Sequence, residues 1–163
     1  MISFLKKKRG KYRNRGFTLV EVLIVIAIMA ILSGVVIFSF SGMRARQDVD
    51  SNTEVITSLL KEARSRTLGS IDSTTYGVFI ETNQVTLFKG ASYIAGDPTN
   101  QTNSLSNTVT ITAVSLNGGG STIMFERLTG KTNNFGTMRV EFTSDTSVAR
   151  TITVDATGLI ESD

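Results

Sequence analysis

The side chains that most often carry enzyme chemistry are scarce in this chain of 163 residues. It contains no cysteine and no histidine, so thiol nucleophiles, thiolate metal sites and the commonest general base are absent. The run Thr129–Thr132 resembles the end of a phosphate-binding loop, but Phe125 stands where that loop requires its first glycine, and no apolar helix follows. We therefore predict a polar hairpin turn there, and we expect neither an enzyme nor a cofactor.

A single carboxylate has a position that could matter. Glu21 is the only charged residue in the apolar run from Phe17 to Phe40, and an acidic side chain at the centre of a bilayer costs on the order of 2.5–3.5 kcal/mol. Two interpretations follow from the residues alone. Glu21 pairs with a positive group of a neighbouring chain, or it lies near the membrane interface, reaches water and favours the start of a helix.

The segment around Glu21 has the composition of a membrane helix. From Val22 to Met43 the sequence has no charged residue, and about 20 apolar residues of helix span a bilayer core. The residues before it are strongly basic, whereas the rest of the chain is mildly acidic. Basic flanks stay in the cytoplasm, so we expect residues after Met43 to lie on the other side of the membrane.

An amphipathic pattern continues from Arg44 to about Leu68. Its apolar positions fall near one helical face, namely Val49, Ile56, Leu59, Leu60 and Ala63. No proline interrupts the passage from the uncharged segment into this one. We predict one long helix from about Phe17 to Leu68, with a globular domain covering its second half.

The remainder of the chain reads as short strands separated by polar turns. Apolar and polar residues alternate with a period of two in several runs: Val78 and Ile80; Val85 and Leu87; Val109, Ile111 and Ala113; Ile123 and Phe125; Met138, Val140 and Phe142; Ile152 and Val154. About six strands without intervening helices predict an antiparallel sheet over residues 74–160 with one face on the helix. The predicted fold class is α+β.

The junction Arg15-Gly16-Phe17-Thr18-Leu19-Val20-Glu21 and the apolar helix after it closely resemble the processing site of type IV prepilins and pseudopilins. The resemblance implies a leader, 1–16, that prepilin peptidase removes by cutting between Gly16 and Phe17, followed by N-methylation of Phe17. It further implies that Glu21 neutralises the Phe17 amine of a neighbouring subunit. The implied pilin-like chain has an apolar half-helix, 17–43, and a globular domain, 44–163, with helix 44–68.

A second resemblance lies in the globular part. Helix residues 59–65, with sequence LLKEARS, and the closing run Thr151–Ile160 are similar to the GspH/FimT family of minor pseudopilins. The family implies a subunit of a type II secretion pseudopilus or a type IV pilus, held in the bacterial inner membrane before assembly. Implied partners are prepilin peptidase, other pilins, the inner-membrane assembly platform and membrane lipid.

Two function classes remain open on the sequence. A structural subunit is favoured, and a binding module at a pilus tip, acting in DNA uptake, adhesion or contact with a secreted substrate, is the alternative. The loop from Gly90 to Asn107 would carry such binding. We do not expect nucleic acid as a partner, because the C-terminal residues carry acids and only Arg139 and Arg150 stand nearby. No metal site is predicted, since the late acidic residues Asp145, Asp155, Glu161 and Asp163 lack the spacing of a calcium loop.

Overall fold

The computed structural model describes residues 16–163, with the side chains of residues 35–41 left out of the description. One helix, α1 (Leu19–Leu68), takes up most of the first part of the chain. It contains no proline, and it ends where Gly69 donates its N–H to the Ser65 carbonyl at 2.9 Å. The chain divides into two compact units between Phe40 and Ser41. The predicted helix is confirmed to within two residues at its start.

Eight strands follow α1 and a short 3-10 turn at Ile71–Ser73. Their bounds are β1 (Tyr76–Ile80), β2 (Gln84–Lys89), β3 (Gln101–Ser104), β4 (Val109–Leu116), β5 (Thr122–Met124), β6 (Gly136–Phe142), β7 (Asp145–Val154) and β8 (Ile160–Ser162). They form two four-stranded sheets, in the order β3-β2-β1-β5 and β4-β6-β7-β8. Every described pairing is antiparallel. The α+β class is confirmed, with two sheets where the sequence predicted one.

The core forms where the second half of α1 meets the inner faces of both sheets. All five helix positions predicted to share an apolar face are buried: Val49, Ile56, Leu59, Leu60 and Ala63. Their partners are the alternating strand residues, for example Val78, Val85, Met138, Val140 and Ile152, each exposed by 0%. Burying an aliphatic side chain of this size contributes about 1.5–3 kcal/mol, so this contact supplies the main stabilisation of the globular unit.

The alternating pattern fails at one strand position. The sequence placed Ala113 on the buried face of β4, but Ala113 is exposed and adopts a left-handed φ of 48°. The register of β4 against β6 shifts between Thr112 and Ser115. The prediction for Ala113 was therefore wrong, because a β-bulge inserts an extra residue and reverses the side-chain alternation after it.

A polar cluster fixes the connection from α1 to β1. The Thr67 hydroxyl accepts the Tyr76 N–H at 2.9 Å and donates to the Ala63 carbonyl at 2.8 Å. Asp72 accepts hydrogen bonds from the Tyr76 hydroxyl at 3.0 Å and from the Lys89 ammonium at 2.9 Å. These contacts, the one from Lys89 first, hold the pKa of the Asp72 carboxyl below its ordinary value. The end of the helix is thereby tied to two strands.

A smaller apolar cluster covers the outer face of the first sheet. Phe88 is exposed by only 1% yet lies outside the main core. It crosses the backbone at Gly77, where an added Cβ would lie 2.7 Å from the Phe88 ring and 2.8 Å from the Ile123 carbonyl oxygen. Tyr93, from the β2–β3 loop, stacks on Phe79 with ring centroids 4.1 Å apart and packs edge-on against Phe88. The loop is therefore anchored to the sheet by its aromatic residue.

The close approach at Gly77 generates a stability prediction. Gly77→Ala forces Phe88, Met124 or the β5 backbone to move, and overpacking of this kind costs roughly 1–3 kcal/mol of unfolding free energy. The matched control is Gly42→Ala, because Gly42 lies in α1 with no atom within 4 Å of an added Cβ. Alanine favours helix over glycine. Thermal unfolding of the full-length protein should show a lower Tm for Gly77→Ala and no loss for Gly42→Ala; equal Tm values would contradict the packing at Gly77.

Candidate processing and assembly site

The predicted scissile bond lies in an accessible segment directly before α1. Gly16, Phe17 and Thr18 have no helical backbone, and all three are exposed. The Phe17 side chain is exposed by 85%, and the space around Gly16 is open, with no atom within 4 Å of an added Cβ. The backbone between Gly16 and Phe17 is therefore accessible. The rest of the predicted leader, residues 1–15, lies outside the described residues.

Glu21 lies in the first turn of α1, which a side chain caps at its N-terminus. The Glu21 backbone N–H donates to the Thr18 hydroxyl at 3.2 Å, and the Val22 N–H donates to the Thr18 carbonyl at 3.3 Å. Thr18 is therefore the N-cap, and Glu21 is the third helical residue. Threonine followed three positions later by glutamate is the sequence signature of a capping box. This role of Thr18 was not predicted from the sequence, although the signature was present.

The Glu21 carboxylate has no ion-pair partner among the described residues. Its neighbours along the helix are apolar and exposed: Leu19 by 77%, Val20 by 62%, Val22 by 48% and Leu23 by 57%. An acid in the first turn is favourable to the helix dipole by a few tenths to about 1 kcal/mol. Both interpretations of Glu21 therefore stay compatible with its place in the helix.

The apolar half of α1 is exposed over its described length. Exposed fractions between Ile24 and Leu32 range from 50% for Val25 to 69% for Ile31 among the large side chains. Over residues 16–34 and 42–163, which the structure describes in full, no helix combines the length and apolar character of a membrane span.

The residues that carry the second resemblance form a clamp within the globular unit. The Arg64 guanidinium donates to the Gly130 carbonyl at 3.1 Å and to the Thr157 carbonyl at 3.4 Å. Gly158 has a φ of +80°, and a Cβ there would collide with Gly130 and lie 2.8 Å from Arg64 Nε. Arg64 thus ties two loops to α1, and Gly158 leaves room for it.

The weaker motifs fall into structural roles. Residues 126–131 close a tight turn through hydrogen bonds between Glu126 and both Gly130 and Lys131, and no helix follows. A turn is therefore present, but the predicted hairpin was wrong, because the strands on either side, β5 and β6, belong to different sheets. Arg139 pairs with Glu141 at 2.8 Å, and Arg150 pairs with Asp50 at 2.9 Å. Both arginines therefore already have an acidic neighbour, which weakens any attraction to nucleic acid.

No group of three or more acidic side chains within residues 16–163 is arranged to hold a metal ion. Two of the four late acidic residues accept hydrogen bonds: Asp145 from Ser147, and Asp163 from the Thr151 N–H. The other two, Asp155 and Glu161, form no ion pair within the described chain. The hydrogen bonds from the Ser147 hydroxyl and backbone hold the pKa of Asp145 below its ordinary value.

Comparison with known proteins agrees with this geometry. Residues 11–37 match the family model described as the prokaryotic N-terminal methylation motif. Two crystal structures of the type IV minor pilin FimU of Pseudomonas aeruginosa, in space groups P65 and P21, have the same fold. The TM-scores are 0.55 and 0.57 at 15% and 16% identity. The alignments cover 70% and 72% of this chain and 91% and 90% of those chains. No curated protein matches the sequence.

The chain has a pilin-like fold and carries the N-terminal methylation motif. The matched motif runs from within the predicted leader, across Gly16-Phe17, into the apolar half of α1. Its central residues are therefore the exposed junction and the capped first turn described above. The two sheets and the second half of α1 form the pilin-like globular unit.

The cap generates a prediction about the first turn of α1. Thr18→Ala removes the oxygen that accepts the Glu21 N–H, and loss of such a cap costs about 1 kcal/mol. We expect faster hydrogen–deuterium exchange at the Glu21 amide of the full-length protein in detergent. Thr18→Ser keeps the oxygen and should exchange like the parent. If alanine and serine variants exchange alike, Thr18 does not cap the helix.

Proposed function

We propose that this chain is a minor pilin or pseudopilin, a structural subunit of a type IV pilus or of a type II secretion pseudopilus, and not an enzyme. The observation that carries the proposal is the methylation motif at residues 11–37, at the start of the long helix of a pilin-like fold. The GspH/FimT-like residues, with Arg64 as a clamp between the helix and two loops, support a minor subunit.

Processing would make the subunit competent for assembly. In this proposal prepilin peptidase removes residues 1–16 and methylates Phe17, leaving an apolar half-helix, 17–43, and a globular domain, 44–163. The exposed, non-helical backbone at Gly16 and Phe17 supports cleavage at that bond. The new Phe17 amine would stand beside the capped first turn that holds Glu21.

The apolar half-helix would anchor the subunit in the inner membrane before assembly, with the globular domain outside the cytoplasm. The support is the sequence: it has no charge from Val22 to Met43 and a basic cluster ahead of Gly16. In the filament the same surface would pack against other pilins, with the assembly platform and peptidase as further partners. Exposed side chains such as Leu19 and Ile31 have no cover within the described chain, so either environment would bury them.

Glu21 would act as the recognition charge of assembly. A carboxylate among apolar residues is costly in lipid, and the Phe17 amine of a neighbouring subunit is a positive group of the right kind. Pairing at low dielectric is strong, and either charge left alone is heavily penalised. A subunit therefore enters the filament at lowest cost where its Glu21 meets a processed neighbour.

The cleavage step is testable by mass spectrometry of protein from a host that has prepilin peptidase. The expected product lacks Met1–Gly16 and carries a methyl group on Phe17. Gly16→Val should keep the leader, because a side chain at this position blocks the close backbone approach that glycine permits. Gly10→Ala, a glycine substitution within the leader, is the matched control and should be cut normally. An intact leader on the parent protein would refute the proposed function.

The assembly role of Glu21 has a separate test. Glu21→Leu should be cleaved and inserted normally, because an apolar residue favours insertion. Its incorporation into filaments should fall roughly a hundredfold or more, since breaking a buried ion pair costs about 3–5 kcal/mol. Glu21→Asp, which keeps the charge but shortens its reach, should be intermediate, and Val22→Leu is the control. Cross-linking to other pilins in the membrane is the readout. Normal incorporation of Glu21→Leu would leave Glu21 as a helix-start residue only.

A further inference from the structure

Two exposed arginines follow directly after the uncharged segment of α1. Arg44 and Arg46 are the first charged residues after Glu21 in the sequence, and both side chains are exposed. Ala45, between them, is exposed by only 6% and is the first described residue of α1 with a buried side chain. The two arginines therefore lie where the uncharged part of α1 ends and its covered part begins.

Each of these arginines has an acidic residue four positions later, which is the spacing of a helical ion pair. Asp48 follows Arg44 at this spacing, and Asp50 follows Arg46. Neither pair forms within the described chain. A basic residue that precedes its acidic partner is also the less favourable order in a helix. Both guanidinium groups are therefore exposed positive charges that no described acidic side chain neutralises.

The globular unit engages both of the acidic residues in other contacts. The Asp48 carboxylate accepts a hydrogen bond from the Thr108 hydroxyl at 2.8 Å. The Asp50 carboxylate pairs with the Arg150 guanidinium at 2.9 Å. Both contacts join α1 to the residues that pack beside it, so they belong to the fold of the globular unit. The acids nearest to the two arginines are thus directed toward the sheet, and the arginines have their guanidinium groups available to an external anion.

The two arginines project from different sides of the helix. An α-helix turns by about 100° per residue, so Arg44 and Arg46 project about 200° apart around the helix axis, with the buried Ala45 between them. One acidic side chain of a neighbouring protein could therefore meet one arginine but not both. A layer of anionic groups that surrounds the helix would meet both arginines at once. The placement favours such a layer as the partner.

The length of the uncharged segment matches the thickness of a bilayer. A helix as long as Val22–Met43 rises about 33 Å, and the hydrocarbon core of a bilayer is about 30 Å thick. In a membrane this segment would end, at Met43, where the headgroups begin. Long basic side chains reach from such a position to the headgroups, and a guanidinium group binds phosphate through paired hydrogen bonds.

We propose that Arg44 and Arg46 bind the phosphate groups of phospholipids at the extracytoplasmic surface of the membrane, and that this contact fixes where α1 leaves the bilayer before assembly. The inference rests on the proposed function, because it takes the apolar half-helix to lie in the membrane. The basic cluster ahead of Gly16 is larger than this pair of arginines, so the orientation expected from basic flanks is unchanged.

Solid-state NMR of the full-length protein in vesicles of phosphatidylcholine and phosphatidylglycerol tests the contact directly. With every arginine Cζ atom labelled with carbon-13, dephasing by lipid phosphorus reports guanidinium groups that touch phosphate. The double variant Arg44→Gln, Arg46→Gln should lose part of the dephased arginine signal of the parent. Arg127→Gln is the control, because Arg127 belongs to the globular unit and donates to the Ser73 carbonyl, and its dephased signal should equal that of the parent. An undiminished signal in the double variant would overturn the proposal.

Spin labels on either side of the arginines locate the membrane surface. The chain has no cysteine, so a single introduced cysteine carries the only nitroxide. Gly42→Cys and Ser51→Cys place the label at exposed positions of α1 before and after the arginines. The label at position 42 should collide mainly with oxygen dissolved in the lipid, and the label at position 51 mainly with a water-soluble nickel complex. Two labels in the same phase would overturn the proposed position of the headgroups.

A third label separates this inference from the proposed function. Ile28→Cys lies in the apolar half of α1, where Ile28 is exposed by 51%. A label there that reports water would overturn the membrane anchoring in the proposed function, and this inference with it. A label there in lipid, without phosphate contact at Arg44 and Arg46, would overturn this inference alone. The phosphorus contact should also persist when the protein is diluted in lipid, and its loss on dilution would indicate a neighbouring chain and overturn the lipid assignment.

Discussion

Burial of one helical stripe, from Val49 to Ala63, is the interaction on which the rest of the globular unit depends. The two sheets are not paired to each other as one sheet, so each needs the helix to cover its inner face. Val78 and Val85 of one sheet and Val140 and Ile152 of the other reach full burial in the same cluster as the helix residues. The polar contacts add to an arrangement that the apolar core determines. Thr67 fixes the connection from α1 to β1, and Arg64 holds two loops against α1.

In the first half of α1, by contrast, the described apolar side chains are exposed. Its described large side chains are about half or more exposed, and covering each would contribute about 1.5–3 kcal/mol. An isolated chain in water lacks this stabilisation at many successive positions of α1. In the proposed function, lipid or other chains would cover this apolar surface, and pairing of Glu21 with a neighbour would make one arrangement of those chains better than the rest. In the proposed function, apolar area would supply the affinity between chains, and the Glu21 carboxylate would supply their register.

The sequence predicted those features whose cause is local. A period of 3.6 residues located the buried face of α1, and a period of two located most strands. It missed β3, because Gln101–Ser104 is wholly polar and mostly exposed, and it misplaced Ala113, because a bulge is decided by pairing with β6. The Thr18 cap was readable from Thr18 and Glu21 alone. The division into two sheets and the Arg64 clamp depend on residues far apart in the chain, and no single-sequence pattern encodes which of them meet.

Two features of the described chain depart from the ordinary rules of a self-contained fold. Glu21 is a charge among exposed apolar residues, and Thr53 and Thr57 are buried hydroxyls that form no hydrogen bond within the described residues. Their effects on an isolated chain have opposite signs: an acid in the first turn favours a helix in water, whereas an unpaired buried hydroxyl lowers the stability of the fold. Departures of this kind concentrate at functional positions. In the proposed function a neighbouring subunit would give Glu21 its role, because the Phe17 amine of that subunit would pair with the carboxylate.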